Sequence, residues 1–155
     1  MRTQADPQYA RSQRLRRKGA KVDIFKAFKT DLDAEKNGKW FSIDPWGDSE
    51  FLLAYQGNPE FKQYHAELLR PYRVELSAGT MSEETREEIE TKALAEKIVQ
   101  GWKNVQNETG EDIPYSPEKA AELLRALPHL RRRIWTLTVN WENFREADQE
   151  AAIKN

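Results

Sequence analysis

A chain of 155 residues, 38% hydrophobic and 33% charged, has enough apolar surface for one core if it is used sparingly on helix and strand faces. A formal net charge of −1 argues against nucleic-acid binding by the surface as a whole, and the absence of cysteine excludes a disulfide framework and thiolate metal sites. No secretory apolar core opens the sequence and no apolar run approaches the roughly 20 residues of a membrane span, so a soluble, cytoplasmic protein is expected.

Residues 1–21 lack apolar periodicity and carry Arg11, Arg14, Arg16, Arg17, Lys18 and Lys21. They read as a solvated basic arm, with no aromatic between Arg11 and Lys21 to stack bases. Residues 22–152 read as one α+β domain, with strands over 22–56 and helices over 58–152. Val22, Ile24 and Phe28 alternate with charge and predict a strand, which Phe25 interrupts. Asn37-Gly38 makes a turn, Trp40–Ile43 a second strand, Pro45-Trp46-Gly47-Asp48 another turn, and Phe51–Tyr55 a third strand. The fold class expected is therefore a small N-terminal antiparallel three-stranded meander packed against a C-terminal bundle of about four helices.

The helical part is punctuated by capping signals. Asn58-Pro59-Glu60 and Ser116-Pro117-Glu118 each pair a side chain that accepts from free N–H groups with a proline that tolerates the first turn. The first of these helices places Phe61, Tyr64, Leu68 and Tyr72 along one side, and Pro71 predicts a kink or break. Gly79 ends the segment, and either Thr80 or Ser82 caps the next helix, whose first turns hold Glu83, Glu84, Glu87 and Glu88. Ile89, Ala93, Ile98, Trp102 and Val105 are expected as the apolar stripe of one long helix. Asn107 to Glu111 reads as a loop. Pro128 starts the last helix, with Leu130, Ile134, Leu137, Trp141 and Phe144 as a seam down one face.

The same residues offer few chemical groups for catalysis or metal binding. His65 and His129 are the only neutral-pH proton carriers, and neither has metal-binding spacing. Asp31, Asp33 and Glu35 begin like a calcium loop, but Lys36 stands where the turn demands glycine and Ser42 where a bidentate carboxylate is needed. There is no Gly-rich phosphate loop and no nucleophile elbow. Arg131-Arg132-Arg133 fan around a helix and read as exposed charge about a buried seam. No catalytic residue, metal site or cofactor is expected, so the sequence points away from an enzyme. What remains is aromatic surface at helical spacing. Trp102, Tyr115, Trp135, Trp141 and Phe144 are the candidates either for contact with a partner or for holding the helix that makes it.

The order of several segments resembles that of the tail assembly chaperones of long-tailed bacteriophages and prophages. These segments are Gly57-Asn58-Pro59-Glu60-Phe61, Leu69-Arg70-Pro71-Tyr72-Arg73, Gly101-Trp102-Lys103-Asn104-Val105, Pro114-Tyr115-Ser116-Pro117-Glu118-Lys119-Ala120 and Asn140-Trp141-Glu142-Asn143-Phe144. The resemblance implies a non-enzymatic protein of the host bacterial cytoplasm that binds the tape measure protein, keeps it soluble and helps recruit tail tube subunits. Homo-oligomers are compatible with this, and no membrane or cofactor is implied. Two other readings stay open: a minor tail or connector component retained in the virion, and a nucleic-acid-binding regulator acting through the basic arm.

Overall fold

The computed structural model describes residues 19–43, 45 and 47–146. Arm residues Arg11, Arg14, Arg16, Arg17 and Lys18, and Trp46 of the expected turn, lie outside these, while Lys21 is exposed. Two short helices come first, α1 (Ile24–Phe28) and α2 (Leu32–Asn37), each opened by an aspartate. The Asp23 carboxylate accepts from the N–H groups of Phe25 and Lys26 at 3.1 and 3.2 Å, and Asp31 accepts from Ala34 at 3.0 Å. These caps overturn the strand expected over 22–28. Once Asp23 satisfies the free N–H groups of a first turn, Ile24, Phe25 and Phe28 fall at helical rather than alternating spacing. No residue of α1 is buried.

The sheet contains β1 (Lys39–Ser42), β2 (Glu50–Leu53) and β3 (Val99–Lys103), antiparallel and in that order. Trp40 faces Leu52 and Phe41 faces Phe51 across the first ladder; Phe51 faces Trp102 and Leu52 faces Gly101 across the second. The α+β class and the three-stranded antiparallel sheet are as expected, but the third strand comes from a segment assigned to a long helix. That helix, α5 (Glu83–Ala93), widens into a π-turn over Leu94–Ile98 and stops. The five-residue step from Ala93 to Ile98 in the apolar stripe coincides with this π-turn, whose bonds run from i to i+5, after which Val99 is extended and Gly101 favours leaving the helix.

The remaining helices follow the capping signals. Asn58 accepts from Phe61 N–H (3.0 Å) to open α3 (Pro59–Leu69). Pro71 sits in a 3₁₀ turn, Arg70–Tyr72, that separates α3 from α4 (Arg73–Ala78), and Gly79 ends α4 at φ +69°. Ser82, not Thr80, caps α5, accepting from Thr85 N–H at 3.1 Å. The 107–111 loop folds round the Asn107 side chain, which accepts from Thr109 and Glu111 N–H. Ser116 opens α6 (Pro117–Ala126). The last helix, α7 (Pro128–Val139), is shorter than its seam predicted. Asn140 is extended and caps a 3₁₀ turn, Trp141–Phe144, so those two aromatics leave the helix. Sheet and helices share one apolar cluster that includes Leu53, Leu94, Ile98, Leu124 and Ile134. Gln56 ties it to α7, its side-chain amide donating to Trp135 O (3.0 Å) and Thr138 Oγ1 (2.9 Å).

Candidate functional site

The five aromatic candidates fall into three places rather than one. Trp102 and Tyr115 meet edge to face at 5.1 Å beside β3. The Trp102 indole donates to Ile113 O at 2.7 Å, and the Tyr115 hydroxyl donates to Val99 O at 2.7 Å. Burial, with the charges of Glu96 and Glu118, pushes the Tyr115 hydroxyl above its ordinary pKa, so it stays a donor. Both polar handles are spent inside the chain. This pair holds the 105–115 segment against the sheet.

Trp135 is half-buried on α7, with its ring edge towards His65 of α3 at 6.4 Å. His65 also stacks on Phe61 at 5.4 Å, and burial lowers its imidazole pKa. The fold therefore favours neutral His65. The stabilisation is full above the unfolded value and is lost as pH falls from about 6.5 through the lower folded value. Replacing His65 by Gln should flatten the fall in melting temperature between neutral pH and the onset of carboxylate protonation. An unchanged slope would show that other groups set it.

Phe144 is fully buried, 5.7 Å from Phe41 and 5.3 Å from Tyr55, and its carbonyl accepts from Asp31 N–H at 2.9 Å. It supports the surface without being on it. Trp141, in the same turn, remains partly exposed and stacks on Phe28 of α1 at 5.4 Å. The apolar residues expected in a strand, Val22, Ile24, Phe25 and Phe28, are between 58 and 79% exposed, as is Leu32 of α2. The signal that would have found them is the Asp23 cap followed by apolar residues at i, i+1 and i+4. A backbone bridge between Thr30 and Arg145 and an ion pair between Lys29 and Glu146 (3.2 Å) tie residues 22–32, the α1 hook, to the segment just after the Trp141–Phe144 turn.

Several charged groups tie neighbouring elements together. Arg131 departs from the expected exposed triplet. It is buried, donates from Nη1 to Leu124 O (3.3 Å) and lies 3.6 Å from Glu87, while Arg132 and Arg133 are exposed. Arg125 grips Glu88 through both Nε (3.1 Å) and Nη2 (2.8 Å), and that hydrogen bonding holds the Glu88 carboxyl below its ordinary pKa. Burial raises Glu90 instead. Among the described residues no group of three or more His, Asp or Glu side chains is placed to hold a metal ion, and no helix is long and apolar enough to cross a membrane.

Comparison with known proteins gives a family. The model of the YdaY prophage protein family matches residues 56–155, which begin after β2 and take in α3 to α7, β3 and the turn bearing Trp141. Neither the curated proteins nor the solved structures compared with the chain gave a match. With well over half of its length inside that match, the chain belongs to the YdaY prophage protein family.

Proposed function

We propose that this prophage-family protein is a non-enzymatic tail assembly chaperone, acting in the host cytoplasm to bind the tape measure protein, keep it soluble and help recruit tail tube subunits. The observation that carries this reading is the α1 hook, where large apolar side chains crowd one short segment that buries none of its own helix. Exposed apolar side chains crowded on one short segment are costly in water and fit a surface covered by another polypeptide. A long client with apolar helical stripes would be covered at the same contact, which keeps both partners in solution. The prophage family supports a phage-related role, and the order of the aromatic segments is what points to tail assembly.

The test is co-expression with the tape measure protein from the same prophage. Val22→Ser with Phe25→Ser removes apolar surface from exposed positions and leaves the Phe28–Trp141 stack in place, so circular dichroism and melting temperature should stay near those of the parent. Soluble tape measure protein should fall several-fold. Equal solubility with an intact fold would refute the reading. Mass spectrometry of purified particles separates a chaperone, absent from the virion, from a minor tail component that is retained.

A further inference from the structure

The joint between α2 and β1 carries a reactive pair that the aromatic surface does not use. Asn37-Gly38 is the only asparagine–glycine step in the chain, and it stands where α2 ends and β1 begins. Glycine cannot be given up here. Gly38 has φ +98°, and a Cβ built on it would lie 2.8 Å from Leu52 Cγ of β2. Because Gly38 has no side chain, its backbone nitrogen is an unhindered nucleophile for the side-chain amide of the residue before it. Asn37 is exposed, so solvent can supply the base and the water that the reaction consumes.

We propose that Asn37 is a self-modification site, deamidated by the Gly38 nitrogen at a rate set by fraying of the last turn of α2. The Gly38 nitrogen gives its proton to solvent base and bonds to Asn37 Cγ. The bond from Cγ to the amide nitrogen breaks, that nitrogen takes up a proton, and ammonia leaves behind a succinimide ring. Water then opens the ring at either carbonyl, giving aspartate or iso-aspartate at position 37. The folded chain holds the reacting groups apart. Gly38 N–H donates to Ala34 O at 2.9 Å, and the Asn37 side-chain amide donates to Asp33 Oδ1 at 2.7 Å, which turns it back along α2. Both bonds belong to the terminal turn of a six-residue helix, so one local opening frees both groups. The same opening exposes Gly38 N–H to hydrogen exchange. The factor by which folding slows deamidation should therefore equal the factor by which it protects that amide. The product does not fit the joint. An iso-aspartyl link adds a carbon to the backbone where Gly38 has no room to spare beside Leu52 and Lys39 is in register with Leu53. Either product also sets a carboxylate near Asp33, at the helix end where the dipole disfavours negative charge. This inference is independent of the chaperone reading.

The test compares the full chain with a synthetic peptide of residues 31–43 in mildly alkaline buffer. Mass spectrometry of the segment spanning Asn37 reads the exchange of amide for carboxyl, and NMR reads hydrogen exchange at Gly38. Deamidation of the folded chain should be about tenfold or more slower than that of the peptide, by a factor that agrees with the Gly38 protection factor within about threefold. A larger disagreement in either direction, or a folded chain that reacts as fast as the peptide, would overturn the proposal. Asp33→Ala, at an exposed position, releases the Asn37 amide and should speed deamidation and Gly38 exchange together, by several-fold, in a chain that still melts near the parent's temperature. One rate moving without the other would show that they do not share an opening, and the proposal would fail. A mass gain that persists in Asn37→Gln would place the reaction at another residue, with the same result.

Discussion

Phe144→Ala should destabilise the protein by about 3–5 kcal/mol in chemical denaturation, the range for deleting a large buried aromatic. The ring has no exposed surface and is packed by Phe41 of β1 on one side and Tyr55 on another, so little can collapse into the space it leaves. That loss is a large share of the roughly 5–15 kcal/mol that holds a small protein folded. A second effect should accompany it. The Phe144 carbonyl receives Asp31 N–H, and its turn presents Trp141 to Phe28, so the hook loses its seat as the turn loosens. Limited proteolysis should therefore cut first within residues 19–31. Stability within about 0.5 kcal/mol of the parent would mean the ring does not carry the packing assigned to it. For the same reason Phe144 is a poor probe of partner binding: any loss of client solubility would follow from loss of the fold. The exposed Val22 and Phe25 give the clean test.

Whether a feature could be read from sequence depended on how far away its partner lies. The starts of α3, α5 and α6, the break at Pro71 and the stop at Gly79 were legible because a cap or a proline acts within a turn of itself. β3 was not. Val99–Lys103 is extended because β2, some fifty residues earlier, offers Phe51 and Leu52 as its ladder, and nothing local to Trp102 records that. The seam through Trp141 and Phe144 kept helical spacing past the point where Asn140 turns the chain, so periodicity alone ran on too far. At the site, the aromatic residues could be singled out but not sorted. Trp102 and Tyr115 spend their polar atoms on backbone carbonyls contributed by segments eleven and sixteen residues away, which makes them supports. Trp141 and Phe144 are three residues apart, yet one faces the hook and the other is sealed in the core. The hook was missed because Val22, Ile24 and Phe28 satisfy alternation and helical spacing almost equally well, and only Asp23 decides between them.

Gly57→Ala should cost about 1–3 kcal/mol, with the Tyr55 ring as the cause. A Cβ built at Gly57 would overlap the far edge of that ring and lie 2.7 Å from its hydroxyl oxygen. The backbone itself has no objection, since Gly57 is absent from the positive-φ positions Gly19, Gly38, Gly79 and Gly110. The methyl group can be accommodated only if Tyr55 swings off Phe144, against which it packs at 5.3 Å. This places the cost in one contact, and a double-mutant cycle can isolate it. In a Tyr55→Ala background the obstacle is gone, so adding Gly57→Ala should cost nothing further. It should even stabilise by about 0.4–1 kcal/mol, because alanine restricts the unfolded chain where the native backbone accepts it. If Gly57→Ala costs the same with and without the Tyr55 ring, the obstacle is the backbone and the packing argument fails. If the cost vanishes with the ring, Gly57 is glycine so that Tyr55 can lie flat across it and close the cluster that seats the turn bearing Trp141.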